Sequence, residues 1–178
     1  MRKIYLILIL TPILLFANSS TLQIPTVKNF QLSNYLGTWY EIVRMPHRFE
    51  KNLHHVTATY SLLNNGKIEV KNRGYNTKKK VWKDAFGKAW IPDETKSSEL
   101  RVSFFWPFSA AYRIIYLEDD YSLALVTSKS SKYFWMLSRS PEIEEEYYNR
   151  LIKKAKDWGF DTSQFVKVLQ SGKPAINE

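Results

Sequence analysis

The 178-residue sequence contains no cysteine. Disulfides are therefore excluded, and the hydrophobic core has to stabilise the fold without covalent cross-links. The same absence rules out a thiol nucleophile, a thiolate metal ligand and a lipid anchor attached to a cysteine sulfur. Thiol chemistry plays no part in what this protein does.

Histidine is also scarce, and its three residues, His47, His54 and His55, fall close together. A zinc site would need a further ligand held in a fixed geometry. His54 and His55 are neighbours at the start of a predicted strand, where successive side chains point to opposite faces. The sequence therefore predicts no metal site and no cofactor.

Long apolar runs are missing except near the first residue. Residues 4–17 form one such run, preceded by Arg2 and Lys3 and followed by small polar residues. This arrangement is typical of a secretory signal peptide, which we predict at residues 1–19 with cleavage near Ala17 or Ser19. The run is short for a membrane span of about 20 residues, and an uncleaved anchor is the alternative. Residues 20–178 then form a single exported domain, in the periplasm or secreted.

The charge balance is basic, with 26 Lys and Arg against 17 Asp and Glu, a formal net charge of +9. Such a surface admits nucleic acid, an anionic membrane or an acidic small ligand as partner. Export argues against nucleic acid, so we predict no nucleic-acid partner. The chain also has 6 Trp, 11 Tyr and 10 Phe, an apolar area that has to be enclosed or offered to a partner.

Short runs rich in aromatic and β-branched residues dominate the sequence from Thr38 onward. Turn residues separate them, including the hairpin signal that ends at Gly66. Several runs alternate between apolar and polar residues, which indicates strands with one buried face. We predict an all-β fold, an up-and-down barrel or a sandwich, with eight strands at residues 38–44, 55–63, 67–75, 81–91, 99–105, 112–117, 121–127 and 132–138.

One helix follows the last strand. Ser140 is predicted as its N-cap, Pro141 as its first residue and Gly159 as its stop. Its apolar stripe is predicted to pack outside the sheet, because two strands are apolar on both faces. A membrane-surface helix is the alternative. The stripe consists of Ile143, Tyr147, Leu151, Ala155 and Trp158.

Three segments, GTWYE at 37–41, LEDDYSLALV at 117–126 and LSRSP at 137–141, occur in this order along the chain. They resemble the three signature regions of the lipocalins. The segments TATYSL and YFWMLSRSP resemble the bacterial outer-membrane lipocalins and their apolipoprotein D relatives. The resemblance implies an eight-stranded antiparallel up-and-down barrel with a C-terminal helix packed outside. Bacterial members usually carry a lipidated cysteine that this chain lacks, so any association with the outer membrane would have to occur without it.

The resemblance also implies a structural plug at the closed end of the barrel. Trp39 is expected to lie across this end under Arg139, with Gly37 giving room for the approach. Asp119 and Tyr121 are expected in the adjacent turn. An arginine over an indole contributes about 0.5–2 kcal/mol.

Residues that point into the barrel are predicted by counting every second position. From Trp39 the count gives Glu41, Val43 and Met45, and from Arg139 it gives Leu137 and the residues before it. Small residues at 85, 87 and 89 would leave space for a ligand; the alternative is a barrel filled with side chains. The predicted ligand-binding residues are Ala58, Tyr60, Val70, Ala89, Val102, Phe104, Tyr112, Ile114, Tyr116, Tyr133 and Trp135.

The loops opposite the plug, at residues 46–53, 76–80, 106–111 and 128–131, are predicted to form the open mouth. Together with Lys132 they hold seven basic residues against Glu50, a net charge of +6. The predicted rim and head-group residues are Arg48, Lys79, Lys80, Trp106 and Phe108. A merely solvated rim is the alternative to a functional one.

The leading hypothesis is a protein that binds and carries or stores a small amphipathic lipid, a fatty acid or lysophospholipid, for envelope or membrane maintenance. The alternative is an interaction protein with a vestigial cavity, whose rim docks on an anionic membrane or forms a homodimer. An enzyme is not predicted. The isomerase type of this fold works through a cysteine, and Glu41 is a lone carboxylate, so no catalytic residue is assigned.

Overall fold

The computed structural model describes residues 24–171. The predicted signal peptide and its cleavage point near Ala17 or Ser19 lie outside the described residues. Within the described range, none of the helices has the length and hydrophobicity that a membrane crossing requires.

Eight antiparallel strands close into a barrel, as the sequence predicts. The strands are β1 Gly37–Arg44, β2 Leu53–Leu62, β3 Ile68–Asn76, β4 Val81–Trp90, β5 Glu99–Phe105, β6 Phe108–Leu117, β7 Leu123–Thr127 and β8 Phe134–Ser138. Neighbours along the chain pair with each other from β2 to β8, β8 pairs with β1, and β1 pairs back with β2. Consecutive antiparallel strands put their loops alternately at two ends, a closed end and an open mouth.

Helix α1 (Leu32–Tyr35) precedes β1, and helix α2 (Glu145–Asp157) packs on the outside of the barrel. Leu151 and Ala155 are fully buried against outward-facing residues of β1, β7 and β8. Every residue of β7 is buried, because the barrel interior covers one face and the layer with α2 covers the other. The prediction of a helix outside the barrel is confirmed.

The predicted start of this helix is wrong. Ser140 closes a local turn instead, accepting a hydrogen bond from the Glu142 amide at 3.4 Å. The chain bends at residues 139–142, and the helix begins only after Glu144, the observed N-cap. The later start also changes which residues form the apolar stripe of the helix. Tyr147 is 42 % exposed, and Tyr148 and Ile152 pack against the barrel in its place.

A register shift in β1 reverses two predicted orientations. The pairing with β8 slips between Glu41 and Val43, and such a bulge changes which face the following residues meet. Val43 and Met45, predicted to point inward, lie in the outer core with α2. Arg44 pairs with Trp135, which packs against the interior cluster, and so points into the barrel.

A second register shift, between Ile114 and Tyr116, does the same in β6. Tyr116 was predicted to line the pocket, but it packs outside against the layer that holds α2. Its hydroxyl donates to Glu118 at 2.7 Å, and its ring lies 5.1 Å from the Lys154 ammonium. The prediction for Tyr116 is therefore wrong.

Three features were not predicted. Helix α1 (Leu32–Tyr35) precedes β1, and β6 begins at Phe108, which shortens the predicted mouth loop at 106–111. Strand β9 (Val166–Lys167) adds to β1 where β1 and β2 separate. Beside it, the Gln170 amide donates to the carbonyls of Glu41 and Val56, both at 2.8 Å, and so joins the separated strands.

Candidate functional site

The closed end of the barrel is held by one arginine over one indole. The guanidinium carbon of Arg139 lies 3.9 Å from the ring centroid of Trp39, which is fully buried. Arg139 also donates to the carbonyls of Thr38, Asn34 and Leu36 at 2.8–2.9 Å. The structure thus brings the predicted plug residues together.

Gly37 and the turn between β6 and β7 complete this end. Gly37 has a φ of +94°, and a Cβ there would lie 3.3 Å from an Arg139 nitrogen. In the turn, the Asp120 carboxylate accepts from the Ser122 amide, and Tyr121 has a φ of +58°. Asp119 lies exposed in the same turn. The Arg139 amide donates to the Ser122 carbonyl at 2.9 Å, which ties this turn to the third signature segment.

Ten of the eleven predicted ligand-binding residues lie on the interior side. The interior core includes Tyr60, Val70, Ala89 and Ile114 as buried members. Ala58, Val102, Phe104, Tyr112 and Trp135 pack against it while keeping part of their surface accessible. Tyr133 lies just before β8, with its ring stacked on Trp135 at a centroid distance of 6.0 Å.

In the half of the barrel nearer the mouth, inward-facing positions are accessible to solvent. Ala85 faces inward opposite Asn72, and Ala110 faces inward opposite Val102, yet both alanines are exposed. The ladder between β4 and β5 has three residue pairs, from Lys88 with Ser103 to Trp90 with Arg101. The mouth-side half of β4 is therefore not tied to β5, and the interior opens to solvent there.

Two features shape the wall of this space. Gly87 lets β5 and the Phe104 ring pack directly against the backbone of β4, because a Cβ there would lie 2.8 Å from the Ser103 carbonyl oxygen and 2.9 Å from the ring. Asn72 shares the inward face with Ala58 and Ala85, and its side-chain oxygen is enclosed with no hydrogen-bond partner among residues 24–171. An unpaired polar atom of this kind costs free energy. Alternation along β3 predicts that Asn72 points inward, but a single asparagine in the sequence does not indicate a ligand-binding residue.

Three tyrosine hydroxyls meet at the bottom of this space. The Tyr112 oxygen lies 2.7 Å from that of Tyr35 and 2.8 Å from that of Tyr60. Burial raises the pKa of all three, so each hydroxyl keeps its proton. Tyr35 lies in α1, just before the first signature segment. Counting alternate residues along the strands could not predict its position, because it lies outside every strand.

A buried polar cluster lies in the wall on the side of β1. Arg44 donates to Glu41 at 2.8 Å and to the carbonyls of Glu50 and Leu53, both at 2.9 Å. Arg44 thereby fastens the first mouth loop to the barrel. Burial and, next, the charge of Glu50 raise the pKa of Glu41 well above its ordinary value, although Arg44 opposes the shift. Alternation could not predict that Arg44 points inward, because it cannot locate the bulge that changes the register of β1.

His47 extends this cluster toward the mouth. Its Nε2 lies 2.8 Å from a Glu50 carboxylate oxygen, and the Trp135 indole donates to the same oxygen at 3.3 Å. The His47 ring also packs against Tyr133 and Trp135. His54 instead accepts from the Leu169 amide through Nδ1, at 3.0 Å. Within residues 24–171, no three His, Asp or Glu side chains group as metal ligands would.

The rim of the mouth is both basic and aromatic. Arg48, Lys79 and Lys80 are exposed, as are the other four basic residues counted there. At the tip of the β5–β6 hairpin, Phe105, Trp106 and Phe108 are 74, 85 and 77 % exposed, and Phe49 of the first loop is 63 % exposed. Exposed aromatic side chains in such a group indicate contact with an apolar partner.

The sequence profile of the family described as "Lipocalin-like domain" matches residues 30–170. The chain is 44% identical over 149 residues to "Outer membrane lipoprotein Blc" of Escherichia coli (strain K12), covering 84% of each chain. It is 33% identical over 129 residues to "Apolipoprotein D" of Bos taurus, covering 68% of this chain and 67% of that one.

Solved structures share the fold at lower identity. Insecticyanin from the tobacco hornworm Manduca sexta superposes with a TM-score of 0.68 at 21% identity, covering 85% of this chain and 86% of that chain. At this identity the likeness concerns the fold alone.

Proposed function

Because this chain belongs to the lipocalin family, whose members bind small hydrophobic ligands, we propose that it carries or stores an amphipathic lipid. The ligand class is a fatty acid or a lysophospholipid, and the role is maintenance of the envelope or its membranes. The site of action is outside the cytoplasm, in the periplasm or secreted, and anchoring through a lipidated cysteine is not available to a chain without cysteine.

One observation carries the proposal: the interior of the barrel is buried at the closed end, and its inward-facing positions become accessible to solvent toward a basic mouth. The interior residues beside the plug are buried, whereas Ala85 and Ala110 face the same interior and are exposed. An acyl chain gains about 0.8 kcal/mol for each CH₂ that it buries. The net charge of +6 around the mouth favours a ligand with an anionic head at the rim.

Native mass spectrometry of the purified mature protein, followed by lipid extraction from the same sample, tests this proposal. We expect a discrete adduct, about one per chain, with the mass of a fatty acid or lysophospholipid. A protein that stays without an adduct after incubation with lysophospholipid would overturn the carrier function.

A matched pair of variants locates the ligand. Ala85→Trp puts an indole into the interior and should reduce lipid occupancy by at least tenfold. Phe86→Trp puts the same side chain on the outer face of the same strand, where Lys71 lies over the ring, and should leave occupancy unchanged. Equal occupancy in both variants would mean that the lipid binds elsewhere.

Docking of the rim on an anionic membrane is the second candidate function. It is favoured by the exposure of Phe105, Trp106 and Phe108 among basic residues, each of which is worth about 1 kcal/mol near an anionic surface. We expect Trp106→Ser to weaken sedimentation with phosphatidylglycerol vesicles, and Tyr147→Ser, on the far helix, to have no effect. Loss of a dimer in light scattering, with unchanged vesicle binding, would assign the patch to a homodimer instead.

A further inference from the structure

The three hydroxyls of Tyr35, Tyr112 and Tyr60 form a chain that cannot satisfy all of its own hydrogens. A tyrosine hydroxyl has one hydrogen to donate and two lone pairs to accept with. Three hydroxyls bring three hydrogens, but the chain has two oxygen–oxygen contacts, at 2.7 and 2.8 Å. One hydrogen is therefore left without an acceptor, because no other acceptor among residues 24–171 bonds to these hydroxyls.

Burial decides which hydroxyl carries the spare hydrogen. Tyr35 is 1 % and Tyr60 is 5 % exposed, so an unpaired hydrogen on either would be enclosed in the core at a cost in free energy. Tyr112 keeps part of its surface accessible while packing against the interior cluster. The favoured arrangement has both flanking hydroxyls donating to Tyr112, which leaves the Tyr112 hydrogen as the one that a ligand could accept.

The burial of the three tyrosines also determines which kind of ligand oxygen can accept a hydrogen bond from Tyr112. The surroundings penalise negative charge, since burial raises the pKa of all three phenols. A carboxylate entering head first would meet the same penalty. A neutral oxygen, in a hydroxyl, ketone or ester, would accept the hydrogen bond without it.

We propose that Tyr112 is a specificity-determining hydrogen-bond donor at the bottom of the barrel, which selects lipids whose buried acyl chain carries a neutral oxygen. This inference rests on the proposed lipid-carrier function and deepens it. The ligand class becomes hydroxylated or oxo acyl lipids, with the ionic head at the mouth and the oxygen beside Tyr112. Asn72 offers a second polar atom on the same wall, one inward position nearer the mouth than Val70, the partner of Tyr60.

The test measures binding of hexadecanoic acid and its 12-, 14- and 16-hydroxy derivatives to the full mature chain by displacement of a fluorescent fatty acid. A series is needed because β3 climbs about 20 Å from the level of Tyr60 to the mouth, at about 3.3 Å per residue, so the matching hydroxyl position depends on depth. Each ligand is measured with the wild type, Tyr112→Phe and Tyr40→Phe. Tyr40 packs in the outer core and serves as the matched control.

At one hydroxyl position we expect the preference for the hydroxylated acid over the plain acid to fall about fivefold in Tyr112→Phe, the size of one neutral hydrogen bond. Tyr40→Phe should keep the wild-type preference. The wild-type series is informative even if a variant folds poorly, because a position-dependent preference must appear there first.

Two results overturn the inference, and they are distinguishable. If hexadecanoic acid binds but no hydroxyl position gives a preference that depends on Tyr112, the donor is met by water alone and the carrier function stands. If neither plain nor hydroxylated acids bind, the carrier function fails and the subsite fails with it.

Discussion

Replacing Arg139 by methionine should remove most of the force that holds the closed end together. The guanidinium lies 3.9 Å from the centroid of the Trp39 ring, a contact worth about 1 kcal/mol at a partly exposed site. Its three hydrogen bonds to carbonyls are partly solvated and contribute about 0.5–1 kcal/mol each. We expect Arg139→Met to lower the free energy of unfolding by about 3 kcal/mol.

Two further variants separate the contributions. Arg139→Lys keeps the cation near Trp39 but loses the planar fork that reaches three carbonyls, so its expected cost is about 1–2 kcal/mol. Arg73 also lies over an indole, that of Trp82 at 4.8 Å, but on the exposed outer face, where it pairs with Asp84 at 3.9 Å and bonds to no carbonyl among residues 24–171. Arg73→Met should therefore cost under about 0.5 kcal/mol.

The assay is urea unfolding followed by tryptophan fluorescence and circular dichroism, with the slope of the transition checked for two-state behaviour. The reasoning is refuted if Arg139→Met costs under about 1 kcal/mol. It is also refuted if Arg73→Met costs as much as Arg139→Met, because a general effect of removing an arginine would then explain both.

Three more predictions concern stability. Gly37→Ala should cost about 2 kcal/mol in the same assay, because its φ of +94° and the nearby Arg139 nitrogen both oppose a side chain; an unchanged transition would contradict this. Burial raises the pKa of Glu41, so the folded state holds a proton that the unfolded chain releases, and stability should fall as the pH rises above about 4.3. Glu41→Gln should remove this fall, and pH profiles of unfolding that coincide would count against it. Burial lowers the pKa of His54, so stability should decline as the pH falls below about 6.5. His54→Asn should abolish that decline, and its persistence in the variant would contradict the assignment.

The strand pattern and the plug could be predicted because they depend on local signals. Alternation and turn residues place eight strands to within a few residues, and the signature segments at Trp39 and Arg139 fix the closed end. Counting every second residue along a strand gives the inward-facing positions wherever the pairing between neighbouring strands is regular.

The inward-facing residues were predicted wrongly where the register between two paired strands shifts. One extra residue after Glu41 turned Val43 outward and Arg44 inward, and a slip before Tyr116 moved that ring to the outer face. Alternation does not reveal these shifts, because the neighbouring residues at each of them, Ile42 and Val43 in β1 and Ile114 and Ile115 in β6, are both apolar. Tyr35 and Gln170 were missed for another reason: their partners lie far along the chain, and no local pattern marks a side chain that bonds across the barrel.

The side-chain bonds of Gln170 have a consequence for the order of folding. They join it to Glu41, 129 residues earlier, and to Val56, 114 residues earlier. Contacts over such separations form slowly, because a long loop must close before they contribute. The separated ends of β1 and β2 should therefore be joined late in folding, once Gln170 is available to bond to both strands.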